Sequence, residues 1–187
     1  TPAFEASHHE GCLRLLHGWG CDMRRVCNEG RTLAHSASGH PECLRLLHHY
    51  GVDLGRPCHC DCTPAYFAAR HSEASLRVLH ELGCSLEHPD DDGRTPVFNA
   101  AQAGNEGCLR VLHEFGCNMD PRSHFSTAAY AAAMNGNEGC LRLLHEYGCD
   151  MDQGEDEDGE TPAFVAAEDG HVGRLRLLHG FGCDMNR

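Results

Sequence analysis

The sequence lacks lysine and isoleucine entirely, so all 15 of its basic residues are arginine. We attribute these absences to codon usage and infer no function from them. No apolar run approaches the roughly 20 residues that span a bilayer, which predicts no direct membrane insertion. No signal peptide is visible either. Thr1 already stands inside a repeated motif, and we therefore expect the chain to be a segment of a longer protein.

Motifs of the common catalytic classes are also missing. The sequence contains no G-x-S-x-G, no Walker loop and no H-E-x-x-H. Serine, histidine and aspartate are frequent, but nothing in their order sets them in a triad. The sequence therefore predicts a protein that is not an enzyme and that carries no cofactor.

The charge is strongly one-sided. The chain has 28 acidic against 15 basic residues, a formal net charge of −13. Such a surface repels nucleic acid phosphates and anionic lipid headgroups. We expect protein partners, with a basic patch, and no nucleic acid.

Six similar units fill the chain. Each unit opens with a threonine, namely Thr1, Thr32, Thr63, Thr95, Thr127 or Thr161. The units span residues 1–31, 32–62, 63–94, 95–126, 127–160 and 161–187. A second phrase follows in each unit, such as "CLRLLHEYGCDM" from Cys140 to Met151. This repetition predicts a single repeat domain rather than several independent domains.

Each unit has the pattern of two short helices. Threonine is a good N-cap, and the proline that often follows it fits the first helical position. The second phrase has apolar residues at helical spacing, which in the first unit are Cys12, Leu13, Leu15, Leu16 and Trp19. A glycine then ends the helix. The first three units have fewer residues before the second phrase, which predicts a shorter link between their helices.

A helix pair of this size does not bury its apolar face alone, so the units must stack. The fold class is all-α, a solenoid of six helix-turn-helix units with β-turn finger loops. The sequence resembles the ankyrin repeat family through motifs such as T-P, A-A, G-H and L-L in "TPAFVAAEDGHVGRLRLLHGFGCDMN", residues 161–186. The resemblance spans all six units.

The resemblance implies a concave binding face and no catalytic activity. Residues that vary there are candidate partner contacts. On the concave side they are Phe67, Arg70, Asn99, Gln102, Met134, Asn135, Glu168 and Asp169. At the finger tips they are Arg24, Arg25, Arg56, His59, His88, Arg122, His124 and Glu155.

A histidine stands in every unit where the family has its third leucine of L-L-L. These residues are His17, His48, His80, His113, His145 and His179. The family's own histidine, at the fourth position of the unit, remains only as His35. We hypothesise that the six column histidines donate hydrogen bonds to backbone carbonyls near the neighbouring unit's turn.

Nine of the 13 cysteines recur in columns along the repeats. Residues in one column of a stack lie about 8–10 Å apart, farther than the roughly 7 Å that a disulfide tolerates between Cα atoms. We therefore expect reduced, buried cysteines and an intracellular, reducing compartment, either cytoplasmic or organellar.

The finger "PCHCDC" lies outside these columns. In an extended finger, Cys58, Cys60 and Cys62 share a face, and with His59 or Cys27 they offer ligands for zinc or a soft metal. The C-x-C-x-C spacing is not the recurrent zinc spacing. A redox-sensitive trio and ordinary finger residues are the alternatives, and no metal is predicted.

Three functions follow from these observations. The first is a protein-interaction module that binds through its concave face and finger loops. The fifth unit, with a formal charge of −8, would steer a basic partner into one orientation. The second is a structural subunit of a larger assembly, because the last unit keeps its apolar stripe. The third is a metal or redox sensor at Cys58, Cys60 and Cys62.

Overall fold

The computed structural model describes residues 1–121, 126–154 and 159–186. Within these ranges the chain forms 12 helices and no strands. The first helix of each unit is called inner: α1 (Pro2–Glu5), α3 (Leu33–Ser36), α5 (Pro64–Ala68), α7 (Pro96–Ala103), α9 (Ala128–Met134) and α11 (Pro162–Glu168). The second is called outer: α2 (Glu10–Gly18), α4 (Pro41–His49), α6 (Glu73–Glu81), α8 (Glu106–Glu114), α10 (Glu138–Glu146) and α12 (Val172–Gly180).

Threonine begins the inner helices, as the sequence predicts. The Oγ1 atom of Thr127 accepts a hydrogen bond from the Tyr130 N–H at 3.0 Å, and Thr161 accepts one from Phe164 at 3.2 Å. These bonds satisfy an N–H group that has no partner inside the helix. Glycines with φ between 75° and 89° follow the outer helices, at Gly20, Gly51, Gly83, Gly116, Gly148 and Gly182.

The prediction of a shorter link in the first three units is wrong. Their inner helices are shorter, with four or five residues against seven or eight in the last three. In the later units Gly104, Gly136 and Gly170 adopt φ of 70° to 75°, so a tight turn follows a longer helix directly. The first three units have no left-handed glycine at that point and need a longer turn.

The core is a continuous layer of leucines between the inner and outer helices. The fully buried pairs on the outer helices are Leu44 with Leu47, Leu76 with Leu79, Leu109 with Leu112 and Leu141 with Leu144. Each buried leucine contributes about 1.5–3 kcal/mol of transfer free energy. Helices pack within their own unit, inner helices pack on the next inner helix, and the outer helices from α2 to α10 pack on the next outer helix, so the all-α stack is open, as predicted.

Four of the six column histidines stack on aromatic rings, and the predicted hydrogen bonds from this column to backbone carbonyls are not observed in the described part of the chain. His17 lies on Tyr50, His80 on Phe115, His113 on Tyr147 and His145 on Phe181, with ring centroids 3.7 to 4.0 Å apart. Each aromatic ring belongs to the next unit, just before its glycine. The side chain therefore meets a flat ring face instead of a carbonyl.

Of the helices that the described residues form, none combines the length and the apolar character that crossing a bilayer requires. The outer helices have nine residues each. One face of each is charged.

Candidate functional site

A row of six side chains lies where each inner helix ends and turns toward its outer helix. We call it the variable row, because its residue type changes from unit to unit: His8, Gly39, Arg70, Gln102, Met134 and Glu168. Gly39 and Gln102 are half-buried and the other four are exposed. Its character passes from cationic at Arg70 to apolar at Met134 and anionic at Glu168. The row therefore offers a surface with a defined direction.

The finger tips of the first three units share one turn. The N–H of Asp90 donates to the carbonyl of Arg94 at 2.9 Å, and Cys27 and Cys58 make the same bond to Arg31 and Cys62. The fourth residue of each turn is left-handed, and it is glycine in two of the three tips. In the second unit it is Asp61, with φ of 52°. This turn positions the side chains of the fingers.

Most of the predicted partner contacts lie on the surface. Those exposed are Arg24, Arg25, Arg56, His59, Arg70, Met134, Asn135, Glu168 and Asp169, while Phe67, His88 and Gln102 are half-buried. The ring of Phe67 lies under the Arg31 guanidinium at 5.2 Å and edge-on to His35 at 5.9 Å. Asp169 lies 3.8 Å from the guanidinium of Arg174.

Asn99 does not belong to this surface. Its side chain is 1% exposed, and its amide donates to the Tyr66 carbonyl at 2.6 Å. This bond joins the third and fourth units, so Asn99 is a packing residue and we remove it from the candidate contacts. Arg122, His124 and Glu155 lie outside the described residues.

The three cysteines of the second finger converge. The Sγ atom of Cys60 lies 3.1 Å from that of Cys58 and 3.6 Å from that of Cys62. All three sulfurs lie within 4.8 Å of one another. We call these residues the thiol cluster. Cys60 is exposed, whereas Cys58 and Cys62 are buried.

The expectation of an extended finger is wrong. The Cys58 N–H donates to the Cys62 carbonyl at 3.0 Å, and the Asp61 N–H donates to the Cys58 carbonyl at 3.1 Å. The chain closes a turn, and the turn brings the sulfurs together. His59 and Cys27, the other proposed ligands, are not part of this group among the described residues.

The environment separates the acidity of the three thiols. Hydrogen bonding from Cys58 lowers the pKa of Cys60. Burial raises the pKa of Cys58 and raises that of Cys62 well above its ordinary range. The negative charge on Asp90 adds to the shift at Cys62. Cys60 is therefore the thiol of the cluster that loses its proton first.

The column cysteines are packing residues in most units. Cys43, Cys108, Cys117, Cys140, Cys149 and Cys183 are buried. Burial raises the pKa of Cys108, Cys140 and Cys149 to about 12. Such thiols stay protonated and unreactive at neutral pH. In the first unit, by contrast, Cys12 and Cys21 are exposed.

A group of histidines that was not predicted from the sequence lies beside the variable row. His9, His40 and His71 recur every 31 residues, and this period was the available signal. The ring of His8 lies 4.3 Å from that of His9 and 5.7 Å from that of His40, between centroids. Burial lowers the pKa of His40 and of His71, and neighbouring positive charges lower both pKa values further.

Six stacked helix pairs, with a row of side chains that changes from unit to unit on the inner-helix side, define a helical repeat protein. Residues 38–123 and 115–187 match the family model described as ankyrin repeats. The chain belongs to the ankyrin repeat family. Domains of this family are generally protein–protein interaction modules and are typically not enzymes.

Solved structures agree with this fold. The ankyrin repeat domain of human ASB11 superposes with a TM-score of 0.88 at 24% identity, covering 100% of this chain and 86% of that one. The ankyrin repeat domain of Bcl-3, a member of the IkappaB protein family, gives 0.77 at 23% identity, covering 98% and 87%. No curated protein matches the chain.

Proposed function

We propose that the chain is a non-catalytic interaction module that holds a protein partner against the variable row and the finger tips. The observation that carries this proposal is that, within each unit, the residues that form the core differ from those that vary on the surface. The repeated leucines are buried in the core, and four of the exposed column histidines stack on a ring of the next unit. Residues that differ, such as Arg70, Met134 and Glu168, are exposed on one side.

Charge supports one orientation of the partner. Arg70 belongs to the third unit and Glu168 to the sixth, and the fifth unit carries a formal charge of −8. A partner with a basic end is attracted to the fifth and sixth units, and like charges disfavour the reversed arrangement. Met134, which is 45% exposed, provides an apolar contact between these charged groups.

The test is to compare the two sides of the stack. A photo-crosslinking residue at Met134 identifies proteins that contact the inner-helix side, and the same residue at Arg142 of α10 reports on the outer side. The captured protein is then purified and its affinity measured. Charge reversal by Glu168→Arg or Arg70→Glu is expected to raise Kd at least about tenfold, or 1.4 kcal/mol.

The exposed outer residue Arg142 supplies the control, since Arg142→Glu is expected to change Kd less than about threefold. The association rate is expected to fall as salt is added. Binding that survives both inner substitutions and is lost with Arg142→Glu contradicts the proposal.

A second candidate function is a structural subunit built into a larger assembly, favoured by the apolar ends of the stack. Trp19 is 75% exposed and Leu15 57%. At the other end, a cavity of about 590 Å³ is lined by residues such as Phe164, Leu175 and Met185. Sedimentation of the purified chain separates the two functions. A monomer at all concentrations supports the free module, and self-association that Trp19→Ser removes supports the subunit.

We also propose an intracellular, reducing compartment. The exposed thiols of Cys12, Cys21 and Cys60 are the groups that an oxidising compartment would attack first. Thiol counting in protein isolated from its native source, with alkylation at lysis, tests this assignment. Oxidised Cys12 and Cys21 in that material would contradict it.

A further inference from the structure

The thiol cluster is a preformed arrangement of three ligands of one kind. Its sulfurs are held by the finger turn, because the backbone bond from Cys58 to Cys62 closes the loop on which all three lie. Cys58 and Cys62 are buried beneath it, and Cys60 lies at the surface. The fold therefore holds the three sulfurs close together before any ion binds, and the loop does not have to rearrange to form the site.

The spacing of the sulfurs suits a single ion. Around a zinc ion with Zn–S bonds of about 2.3 Å and tetrahedral angles, two sulfurs lie about 3.8 Å apart. The sulfurs of the cluster are 3.1 Å and 3.6 Å apart for the two neighbouring pairs, and all lie within 4.8 Å. Adjustments of less than about 1 Å per pair would place them on one ion.

We propose that Cys58, Cys60 and Cys62 bind one soft metal ion, of the class of Cu(I), Zn(II) or Cd(II), through three sulfur ligands. The ion enters beside the exposed Cys60, and its remaining coordination position faces solvent. Thiolates select these soft ions over magnesium and calcium. This inference does not rest on the proposed partner binding.

Binding is an exchange of protons for a metal ion, without oxidation or reduction. A divalent ion replaces one proton on each of the three thiols, so three metal–sulfur bonds form and up to three protons pass to the buffer. Cys60 is exposed and is therefore the thiol that an incoming ion meets first.

The other fingers provide an internal contrast. In the described residues this is the one place where three His, Cys, Asp or Glu side chains converge at metal-binding distance. Cys27 occupies the equivalent turn of the first unit, where Arg31 stands in the place of Cys62. Cys27 therefore has the same backbone environment without the second and third sulfur.

The experiment is an anaerobic titration of the chain with Cd(II) and with Zn(II), in the presence of a phosphine reductant. We expect one equivalent to bind, with an ultraviolet sulfur-to-cadmium charge-transfer band and the release of three protons. The triple variant Cys58→Ser, Cys60→Ser and Cys62→Ser is expected to lose this binding. The matched triple variant Cys12→Ser, Cys21→Ser and Cys27→Ser removes three other accessible thiols and is expected to retain it.

The single variant Cys60→Ser guards against a folding defect, since Cys60 is exposed. Its circular dichroism should match that of the parent chain. Loss of a residue that only hydrogen-bonds to a metal ligand weakens metal binding roughly tenfold. Loss of Cys60, a ligand itself, should therefore raise the Kd for Cd(II) by more than that. The proposal is overturned if the charge-transfer band persists in the Cys58, Cys60 and Cys62 triple variant. It is also overturned if these thiols oxidise in air but bind neither ion when reduced.

Discussion

At the scale of single residues, His35 joins the start of α3 to the last residue of the same unit through both nitrogens of its ring. The Thr32 N–H donates to Nδ1 at 2.9 Å, so Nε2 carries the proton and donates to the Cys62 carbonyl at 3.1 Å. This arrangement requires the neutral imidazole. Burial lowers the pKa of His35, and the positive charges of Arg31 and Arg56 lower it further.

This histidine makes the stability of the stack depend on pH. The folded-state pKa lies below the ordinary value of 6.5, so the unfolded chain takes up the proton first as pH falls. The contribution of neutral His35 to the free energy of unfolding is complete above pH 6.5. Below pH 6.5 this free energy falls by at most about 1.4 kcal/mol per pH unit. Urea unfolding between neutral and acidic pH measures this slope.

His35→Gln keeps an acceptor for the Thr32 N–H, as glutamine does in a capping box, and cannot titrate. The variant is expected to show a shallower fall of unfolding free energy below pH 6.5. The exposed residue His49 provides the control, because His49→Gln should leave the slope unchanged. Equal slopes in the parent chain and in His35→Gln would show that other groups carry the pH dependence.

At the scale of helices, the outer layer is joined by stacked rings. The rings of His113, in α8, and Tyr147, the C-cap residue of α10, lie 3.8 Å apart and 6° from parallel. On the same layer, Arg45 reaches Glu81 and Arg77 reaches Glu114 in the next unit, each at 2.6 Å. Exposed ion pairs contribute little, so the rings are the stronger link.

The ring stacks should be measurable as a coupling energy. We expect a double-mutant cycle between His113→Ala and Tyr147→Leu to give about 0.5–1.5 kcal/mol, the range of aromatic pairs in proteins. The equivalent residue pair in the second and third units is His48 with Leu82, which has no aromatic ring to stack on. The cycle between His48→Ala and Leu82→Ala is expected to give a smaller coupling, and equal values would contradict a specific role for the rings.

Local signals in the sequence predicted the helices, but the sequence did not predict the contacts between units. Threonine, proline, glycine and the leucine period act within a few residues, so the six helix pairs follow from the sequence alone. The stacking of His113 on Tyr147 joins residues of different units, and only packing reveals which atoms meet. The thiol cluster shows the same limit. Its alternating cysteines indicated an extended finger, but Asp61 adopts a left-handed conformation and the finger turns.

At the scale of the whole molecule, the stack is a row of interfaces between neighbours. Inner helices pack on inner helices from α1 to α11, and outer helices pack on outer helices from α2 to α10. Stability in such a protein is the sum of unit and interface contributions, and a central unit has two interfaces where an end unit of the chain has one. The position of a core substitution along the stack should therefore decide how the protein unfolds.

Leu13 and Leu109 test this, because both are fully buried at equivalent positions of the first and fourth units. Each change to alanine is expected to cost about 2–5 kcal/mol locally. Leu109→Ala should lower the whole urea transition, since it weakens the interfaces on both sides. Leu13→Ala should instead release α1 and α2 in an early step, with fast hydrogen exchange confined to them. If both variants shifted a single transition equally, the chain would unfold as one closed core and the nearest-neighbour description would fail.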